Sequence, residues 1–179
     1  MRVQGIICIF LLGFFSSVLK ADSLGLDFQA YPAGISPSVL YSFELNDGHQ
    51  LFFGPAMNLT RRNDWGVQDD ERGVAYGIHL EYRYGLENLL KGLALGAQLH
   101  QWYFDIDWKQ DAPALKGAST LYVFQPSAVL SYSMKLFQED VWAALKLSLG
   151  AEVNLATWGR EVGQGLIFLV GFQLFFDLP

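Results

Sequence analysis

The chain has 179 residues, enough for one domain, and carries 18 acidic against 12 basic side chains, a formal net charge of −6 at pH 7. This acidic balance disfavours nucleic acid as a partner. Hydrophobic residues make up 51% of the chain and aromatic residues 15%, yet no long apolar run follows the N-terminal segment, which disfavours a helical membrane protein.

Residues 1–21 have the features of a secretory signal peptide. Arg2 precedes an apolar core over residues 5–15, and a short stretch with two serines leads to Ala21. We expect cleavage after Ala21, which leaves a mature domain of residues 22–179. A retained membrane anchor is the alternative, although the apolar run is short for spanning a bilayer.

Cleavage would also remove the single cysteine and two basic side chains. Cys8 lies within the apolar core, so the mature chain would have neither a disulfide nor a cysteine-based zinc site. Subtracting Arg2 and Lys20 from the 12 basic side chains leaves 10 against 18 acidic ones, a net charge of −8. We predict no bound cofactor.

Eight stretches of the mature chain alternate in polarity with the two-residue period of a β-strand. In residues 74–84, the clearest stretch, apolar or aromatic side chains alternate with small or ionisable ones, which is typical of a strand between hydrocarbon and a narrow polar interior. The predicted strands span residues 24–31, 36–45, 49–60, 74–84, 93–106, 120–132, 141–154 and 166–178. They predict an all-β fold, an eight-stranded antiparallel up-and-down transmembrane β-barrel.

The connections fall into two sets, as an up-and-down barrel requires. Asn46-Asp47-Gly48 predicts a tight hairpin turn, because glycine accepts a positive φ. With the N-terminus in the periplasm, the periplasmic connections are residues 46–48, 85–92 and 133–140. The outer connections are residues 32–35, 61–72, 107–119 and 156–164, most of them longer and more polar.

Glycines and prolines within the strands bear on this phasing. The mid-strand glycines all fall on the inward face, where a narrow lumen needs small residues. They are Gly25, Gly54, Gly77, Gly96, Gly150 and Gly171. Pro37, Pro55 and Pro126 lie within or near strands, where each removes a hydrogen-bond donor, so we expect bulges or shifted strand ends there.

A soluble, lipocalin-like barrel would show the same alternation with its apolar face inward. The polar positions here are mostly Gly, Ser, Ala, Gln and Asn, which suit a narrow lumen better than a water-facing surface. Aromatic residues near the strand ends also match the interfacial girdles of a membrane barrel. They are Tyr82, Tyr84, Trp102, Tyr103, Tyr132 and Phe176. The membrane barrel is therefore favoured.

With this architecture the mature chain resembles the small eight-stranded outer-membrane barrels: the OmpA transmembrane domain, OmpX and the OmpW-like proteins. Residues 68–73, 105–109 and 163–165 look like segments of such barrels that have no assigned function. The resemblance implies an outer-membrane location, contact with membrane lipid and lipopolysaccharide, and insertion by the barrel-assembly machinery. The chain departs from the pattern at its end, where residues 177–179 follow the aromatic pair.

The ionisable side chains on the inward face form the candidate site. They are Asp27, Glu44, His79, Glu81, Arg83, His100, Lys146 and Glu152. Because a charge in a narrow lumen must be paired or hydrogen-bonded, we predict a salt-bridge network that plugs the barrel, and a structural or surface-interaction role. The alternative is a narrow pore or a barrel that binds a small molecule. Eight strands are too few for an open, porin-sized channel.

A second alternative is a lipid-modifying enzyme, because some small outer-membrane barrels resemble lipid A deacylases or palmitoyl transferases. The deacylase needs a His-x-Ser pair, with serine as nucleophile and histidine as base. The residues that follow His79 and His100 at this spacing are Glu81 and Trp102. An approach of His79 to Ser127 or Ser148 stays open, but we predict no catalytic residue.

The predicted outer loops are rich in acidic and tryptophan residues. Asp69, Asp70, Asp105 and Asp107 are weak candidates for binding a hard cation. Asp105-x-Asp-x-x-x-Asp lacks the glycine and terminal glutamate of an EF-hand loop, so we predict a solvated anionic surface and no metal. This surface also includes Asp64, Glu71 and Asp111, and we expect the loops to be packed together by Trp65, Trp108 and Trp158.

Overall fold

The computed structural model describes residues 22–46, 48–63, 66–136 and 141–179. The predicted signal peptide lies outside these residues, as do Asp47 of the hairpin turn and the loop residues Asp64 and Trp65. No helix in the described ranges is long and apolar enough to cross a membrane.

Eight antiparallel strands pair in chain order, and β1 pairs with β8 to close a barrel. The first four are β1 (Ser23–Tyr31), β2 (Gly34–Asn46), β3 (His49–Asn63) and β4 (Asp70–Gly85). The others are β5 (Leu93–Gln110), β6 (Leu115–Lys135), β7 (Val141–Trp158) and β8 (Gly165–Asp177). The predicted fold class is confirmed. Ser23 pairs with Asp177, so both ends of the domain lie at one end of the barrel, which we name the lower end.

The predicted alternation separates an apolar exterior from a polar interior through the barrel body. In β4, Tyr76 is 67% exposed and Ile78 42%, whereas the next inward side chain, His79, is fully buried. β1 and β8 show the same arrangement, with Phe28 and Phe168 exposed on the outside. Large apolar side chains that face outward at every second position suit a lipid-facing surface.

The strands differ in length, so the wall of the barrel is not equally tall all round. β1 has 9 residues and its neighbours β2 and β8 have 13 each, which form the low wall. β5 and β7 have 18 residues and β6 has 21, which form the tall wall. The tall wall therefore rises above the low wall at the upper end.

The tall wall replaces most of a predicted loop. Residues 107–119 were expected to be a polar connection, but β5 runs to Gln110 and β6 starts at Leu115. The period of two continues, yet its polarity reverses, because Asp105 and Asp107 face outward while Phe104 and Ile106 are buried inside. We name residues 104–110 and 115–123 the upper extension. A polar exterior over an apolar interior is typical of a barrel wall in water.

Two other predicted loops shorten in the same way. β3 continues to Asn63 and β4 begins at Asp70, so the connection predicted over residues 61–72 shrinks to residues 64–69. β7 continues to Trp158. Trp102 also differs from its prediction as a girdle residue, because its indole is fully buried and donates a hydrogen bond to Gln125 over 2.9 Å.

The prolines lie inside strands without a change of register at their own positions. On either side of Pro37 and Pro55, β2 and β3 keep one register, from Ile35↔Leu59 to Tyr41↔Phe53. The register shifts occur elsewhere, at Glu44/Asn46 and Tyr122/Val123, so the expectation of bulges at the prolines was wrong. The strands therefore continue through Pro37 and Pro55, with paired residues on both sides of each proline.

Two inward glycines lie where the backbone of the neighbouring strand leaves no room for a side chain. A Cβ atom on Gly54 would lie 1.8 Å from the Val39 carbonyl oxygen, and one on Gly77 would lie 1.9 Å from that of Gln101. Both contacts involve backbone, which cannot move aside as a flexible side chain can. Any larger residue at these positions would force the strands apart.

Candidate functional site

The barrel interior is filled in successive layers, beginning with an aromatic layer at the lower end. Phe52 and Phe175 are fully buried there and contact edge to face at 5.4 Å between ring centroids. Trp142 stacks on Phe175 at 4.3 Å with an interplanar angle of 7°. Leu40 completes this cluster, which places apolar rings across the lower end of the lumen.

Above the aromatic layer lies a buried charged cluster, which we define as Asp27, His79, Glu81, Arg83 and Lys146. The ammonium of Lys146 on β7 lies 3.1 Å from Asp27 on β1 and 2.9 Å from Glu81 on β4. The ring nitrogens of His79 face the same two carboxylates at 3.3 and 3.1 Å. Acids and bases from separate strands therefore meet inside the lumen.

Arg83 joins the charged cluster to the aromatic layer. Its guanidinium donates hydrogen bonds to Glu81 and to the amide oxygen of Gln173 on β8. The guanidinium carbon also lies 4.4 Å from the centre of the Phe52 ring, a cation–π contact. Arg83 thus links β4 to β8 and the charged cluster to the rings below it.

Polar and aromatic side chains continue the cluster upward. The His79 and His100 rings are 4.2 Å apart, and His100 stacks on Trp102 at 4.9 Å with an interplanar angle of 9°. Neither ring nitrogen of His100 has a hydrogen-bond partner among the described residues. On the β1 side, Gln29 donates to Asp27 over 2.6 Å and receives a hydrogen bond from Gln98 over 3.1 Å.

An apolar core fills the lumen within the upper extension. Its largest members are Trp102, Phe104, Ile106 and Trp108, all from β5 and all buried. The remaining members are Ala56, Ala75, Leu121, Val123 and Val162. Trp108, expected to pack loops together, instead packs inside the wall and donates to Ser119 over 3.1 Å. This core places apolar side chains in the upper part of the lumen.

A second buried ion pair network lies at the upper end of the barrel, around Arg62. Its guanidinium donates to Glu152 over 2.6 Å, to Glu71 over 3.3 Å and to the Gly163 carbonyl over 2.6 Å. Glu71 also accepts hydrogen bonds from the backbone N–H groups of Val67 and Gly163. The network therefore ties the residue 66–69 connection to the residue 159–164 connection.

The Arg62 network corrects the predicted solvated surface. Glu71 is fully buried, and Arg62, which the sequence analysis did not single out, is only 7% exposed. The inward phasing of Arg62 was available from the alternation of Asn58 and Thr60 on β3, and that of Glu71 from the position of Ala75 on β4. The signal was missed because the polar residues around both positions suggested a loop.

The eight predicted interior residues occupy four kinds of position. Five of them form the charged cluster, His100 stacks above it, and Glu152 pairs with Arg62 higher up. Glu44 is the exception, because it is exposed near the end of β2, where its backbone N–H donates to Asp22. Its strand has reached the lower rim at that point, so its side chain does not enter the lumen.

The acidic residues proposed as weak metal ligands are not brought together. Asp70 pairs with Arg72 at 2.8 Å, Asp69 accepts a hydrogen bond from the Asp111 backbone, and Asp105 accepts one from Thr120. Within the described ranges, no group of three or more His, Cys, Asp or Glu residues could hold a metal ion.

Among the residues that the structure describes, no serine hydroxyl is hydrogen-bonded to a histidine ring. His79 faces Asp27 and Glu81, and the hydroxyls of Ser127 and Ser148 have no hydrogen-bond partner among the described residues. A serine nucleophile needs a base within hydrogen-bond reach, which this arrangement does not provide.

The closed barrel, its outward apolar side chains and its filled polar lumen define a class: the eight-stranded β-barrels of the outer-membrane type. Comparison with solved structures supports this fold assignment. The N-terminal β-barrel domain of Pseudomonas aeruginosa OprF is similar with a TM-score of 0.50 at 16% identity, over 88% of this chain and 98% of that one. The suspected resemblance is confirmed as a likeness of fold.

Two other solved barrels are similar at lower scores. Neisserial surface protein A has a TM-score of 0.47 at 12% identity, over 87% of this chain and 94% of that one. Ail, the attachment invasion locus protein of Yersinia pestis, has a TM-score of 0.42 at 9% identity, over 87% and 99%. No family model matches the chain, and no curated protein matches it.

Proposed function

We propose that the protein is an integral outer-membrane β-barrel with a closed lumen and a structural or surface-interaction role. Residues 1–21 would direct export, and the barrel-assembly machinery would insert the mature domain. The apolar exterior would contact outer-membrane lipid and lipopolysaccharide. Support for this location comes from the exposed side chains of Tyr76, Leu149 and Phe172. A continuous surface of such side chains is better solvated by lipid than by water.

The observation that carries the closed lumen is the charged cluster. Lys146, Asp27 and Glu81 come from β7, β1 and β4, so their ion pairs at 3.1 and 2.9 Å cross the lumen instead of following one wall. All three side chains are fully or almost fully buried. Apolar layers lie below and above them, which supports a lumen without a hydrated route for ions.

Single-channel recording in planar bilayers tests this proposal. The mature protein, residues 22–179, inserted at one barrel per bilayer, is expected to give no reproducible conductance step. The positive control is the triple variant Phe52→Ala, Phe175→Ala and Lys146→Ala. It removes large side chains from two layers of the lumen and is expected to increase ion conductance. Regular steps from the unmodified protein would contradict the closed lumen and favour the narrow pore.

The surface role is supported by the upper extension. Its outer face carries Asp105, Asp107 and Lys109, whose exposed side chains suit water and not lipid. The wall therefore projects beyond the apolar belt as a rigid paired hairpin, a form that can present side chains to a partner. Pull-down or cell-binding assays with the residue 111–114 turn replaced would test whether this end makes contacts.

We propose no catalytic role, because His79 is engaged by two carboxylates at 3.3 and 3.1 Å and has no serine within the same set of contacts. Lipid A turnover is expected to be the same for the unmodified protein and for His79→Gln and His100→Gln. If the unmodified protein turned over lipid A and either variant did not, the result would favour the lipid-modifying enzyme.

A further inference from the structure

The low wall contains a crevice where two neighbouring strands stop pairing. The β1–β8 ladder ends at Ala30↔Val170, but β8 continues upward against β7 as far as Gly165↔Glu152. Residues 165–169 therefore have a strand on only one side. On the other side lies the β1–β2 turn, whose Ala33 carbonyl accepts a hydrogen bond from Arg61 of β3 over 2.6 Å, so the turn is held toward β3.

The gap between this turn and β8 is a cavity of about 280 Å³. Its outer lining is apolar and belongs to the lipid-facing exterior: Leu149 is 60% exposed, Leu166 89% and Phe168 48%. Its inner lining includes Arg62 and Glu152, which are 7% and 6% exposed. The crevice thus leads from the apolar exterior to a buried charged pair, and this volume is near the small end for a small-molecule site.

The hydrogen bonds at the inner end indicate which polar group would fit. The Arg62 guanidinium donates its hydrogen bonds to acceptors of the protein itself, which are Glu152, Glu71 and the Gly163 carbonyl. Glu152 accepts the hydrogen bond from Arg62 at Oε1, and its side chain lines the cavity. Arg62 is the one cation facing two carboxylates in this network, so the local formal charge is negative.

We propose that the crevice is a binding site for a single-chain amphiphile with a primary ammonium head. The alkyl chain lies along Leu149, Leu166 and Phe168, and the ammonium donates a hydrogen bond to Glu152. An anionic head is disfavoured by the excess negative charge, and a neutral alcohol would gain less than a charge-assisted hydrogen bond provides. This site goes beyond the proposed structural role and does not depend on whether the lumen conducts.

Equilibrium dialysis tests the site with the processed full-length protein in phosphatidylcholine nanodiscs. The probes are radiolabelled dodecylammonium and dodecanoate, and empty nanodiscs give the background from partitioning into lipid. We expect saturable binding of one dodecylammonium per barrel, with an affinity above that of dodecanoate by about tenfold or more. Uptake that matches empty nanodiscs, or equal affinity for the two probes, would overturn the proposal.

Variants separate the crevice from the rest of the apolar exterior. Glu152→Gln is expected to abolish the preference for dodecylammonium. Leu166→Trp should fill the crevice and weaken binding by about tenfold or more, and it removes little packing since Leu166 is 89% exposed. Leu147→Trp is the matched control, because Leu147 faces outward on β7 but does not line the crevice.

Folding of each variant is checked by gel mobility before and after boiling. If Glu152→Gln does not fold, the comparison of Leu166→Trp with Leu147→Trp decides alone. Equal loss of binding in these two variants would mean that the probe binds the general exterior, which contradicts a defined site.

Discussion

The barrel body and the upper extension have the same strand period and opposite polarity. In the body, Leu147 faces outward and Lys146 inward, whereas in the upper extension Asp107 faces outward and Ile106 inward. Hydrogen bonding of the strands is the same in both regions, so the backbone does not account for the difference. The difference is explained by the medium outside the wall. Apolar side chains face outward where that medium is lipid and inward where it is water.

The largest expected effect is in the interior of the body. Lys146→Met would leave Asp27 and Glu81 with one cation fewer in a fully buried site, and we expect a loss of about 3–5 kcal/mol in the free energy of unfolding. Guanidinium titration in lipid vesicles measures it. The matched control is Lys109→Met in the upper extension, where the Lys109–Asp111 pair at 2.6 Å has side chains 63% and 69% exposed, so we expect no measurable change in the free energy of unfolding.

If Lys109→Met destabilised the barrel as much as Lys146→Met, the two regions would not differ in solvent access.

The next effect concerns the exterior. Leu147→Arg places a charge on the lipid-facing side of the body and should cost about 2–4 kcal/mol and reduce assembly into the membrane. Asp107→Arg, also outward but in the upper extension, should change stability by about 0.5 kcal/mol or less. The yield of the heat-shifted gel band reports assembly of both. Equal tolerance at the two positions would mean that the faces are assigned wrongly.

A smaller effect tests the apolar core of the upper extension. Ile106→Val removes one methylene from a side chain that is 3% exposed and should cost about 0.5–1.5 kcal/mol through the lost contacts and the space left behind. Ile78→Val is the control, because Ile78 is 42% exposed on the outside, where lipid can fill the space. Unfolding in vesicles should therefore be shifted less by the control. A reversed order would contradict the packing of Ile106 in the apolar core.

The smallest effect is expected for Asp107→Asn. Its outward side chain lies in water, so the free energy of unfolding should change by about 0.5 kcal/mol or less. Asp27→Asn is the contrast, because that carboxylate is fully buried beside Lys146 at 3.1 Å and its neutralisation leaves a cation underpaired. A large loss in Asp107→Asn would indicate that the carboxylate binds something at the upper end.

The barrel body was predictable because one rule covers it. Along β4 and β7, hydrocarbon outside and a narrow lumen inside select different residue types at every second position, so both strands and faces followed from the alternation. The inward placement of Asp27, Glu81 and Lys146 followed from the same phasing. Glu44 was misplaced because alternation does not indicate where a strand leaves the lumen.

The upper extension was not predictable by that rule. Asp105 and Asp107 at every second position resemble a polar loop when an apolar outside is assumed, and Trp102 resembles a girdle residue for the same reason. The polarity reversal becomes visible only when the strands on both sides are paired and the height of the wall is known.

The sequence by itself determined the period, the number of strands and the faces of the body, since these depend on each residue and its neighbours two positions away. Which buried charges meet was decided by closure. Lys146 and Asp27 are 119 residues apart, and Arg62 and Glu152 are 90 apart, so their contacts depend on the stagger of all eight strands round the ring. The crevice likewise exists only because β1 stops short of the top of β8, a relation between two strands that neither segment contains alone.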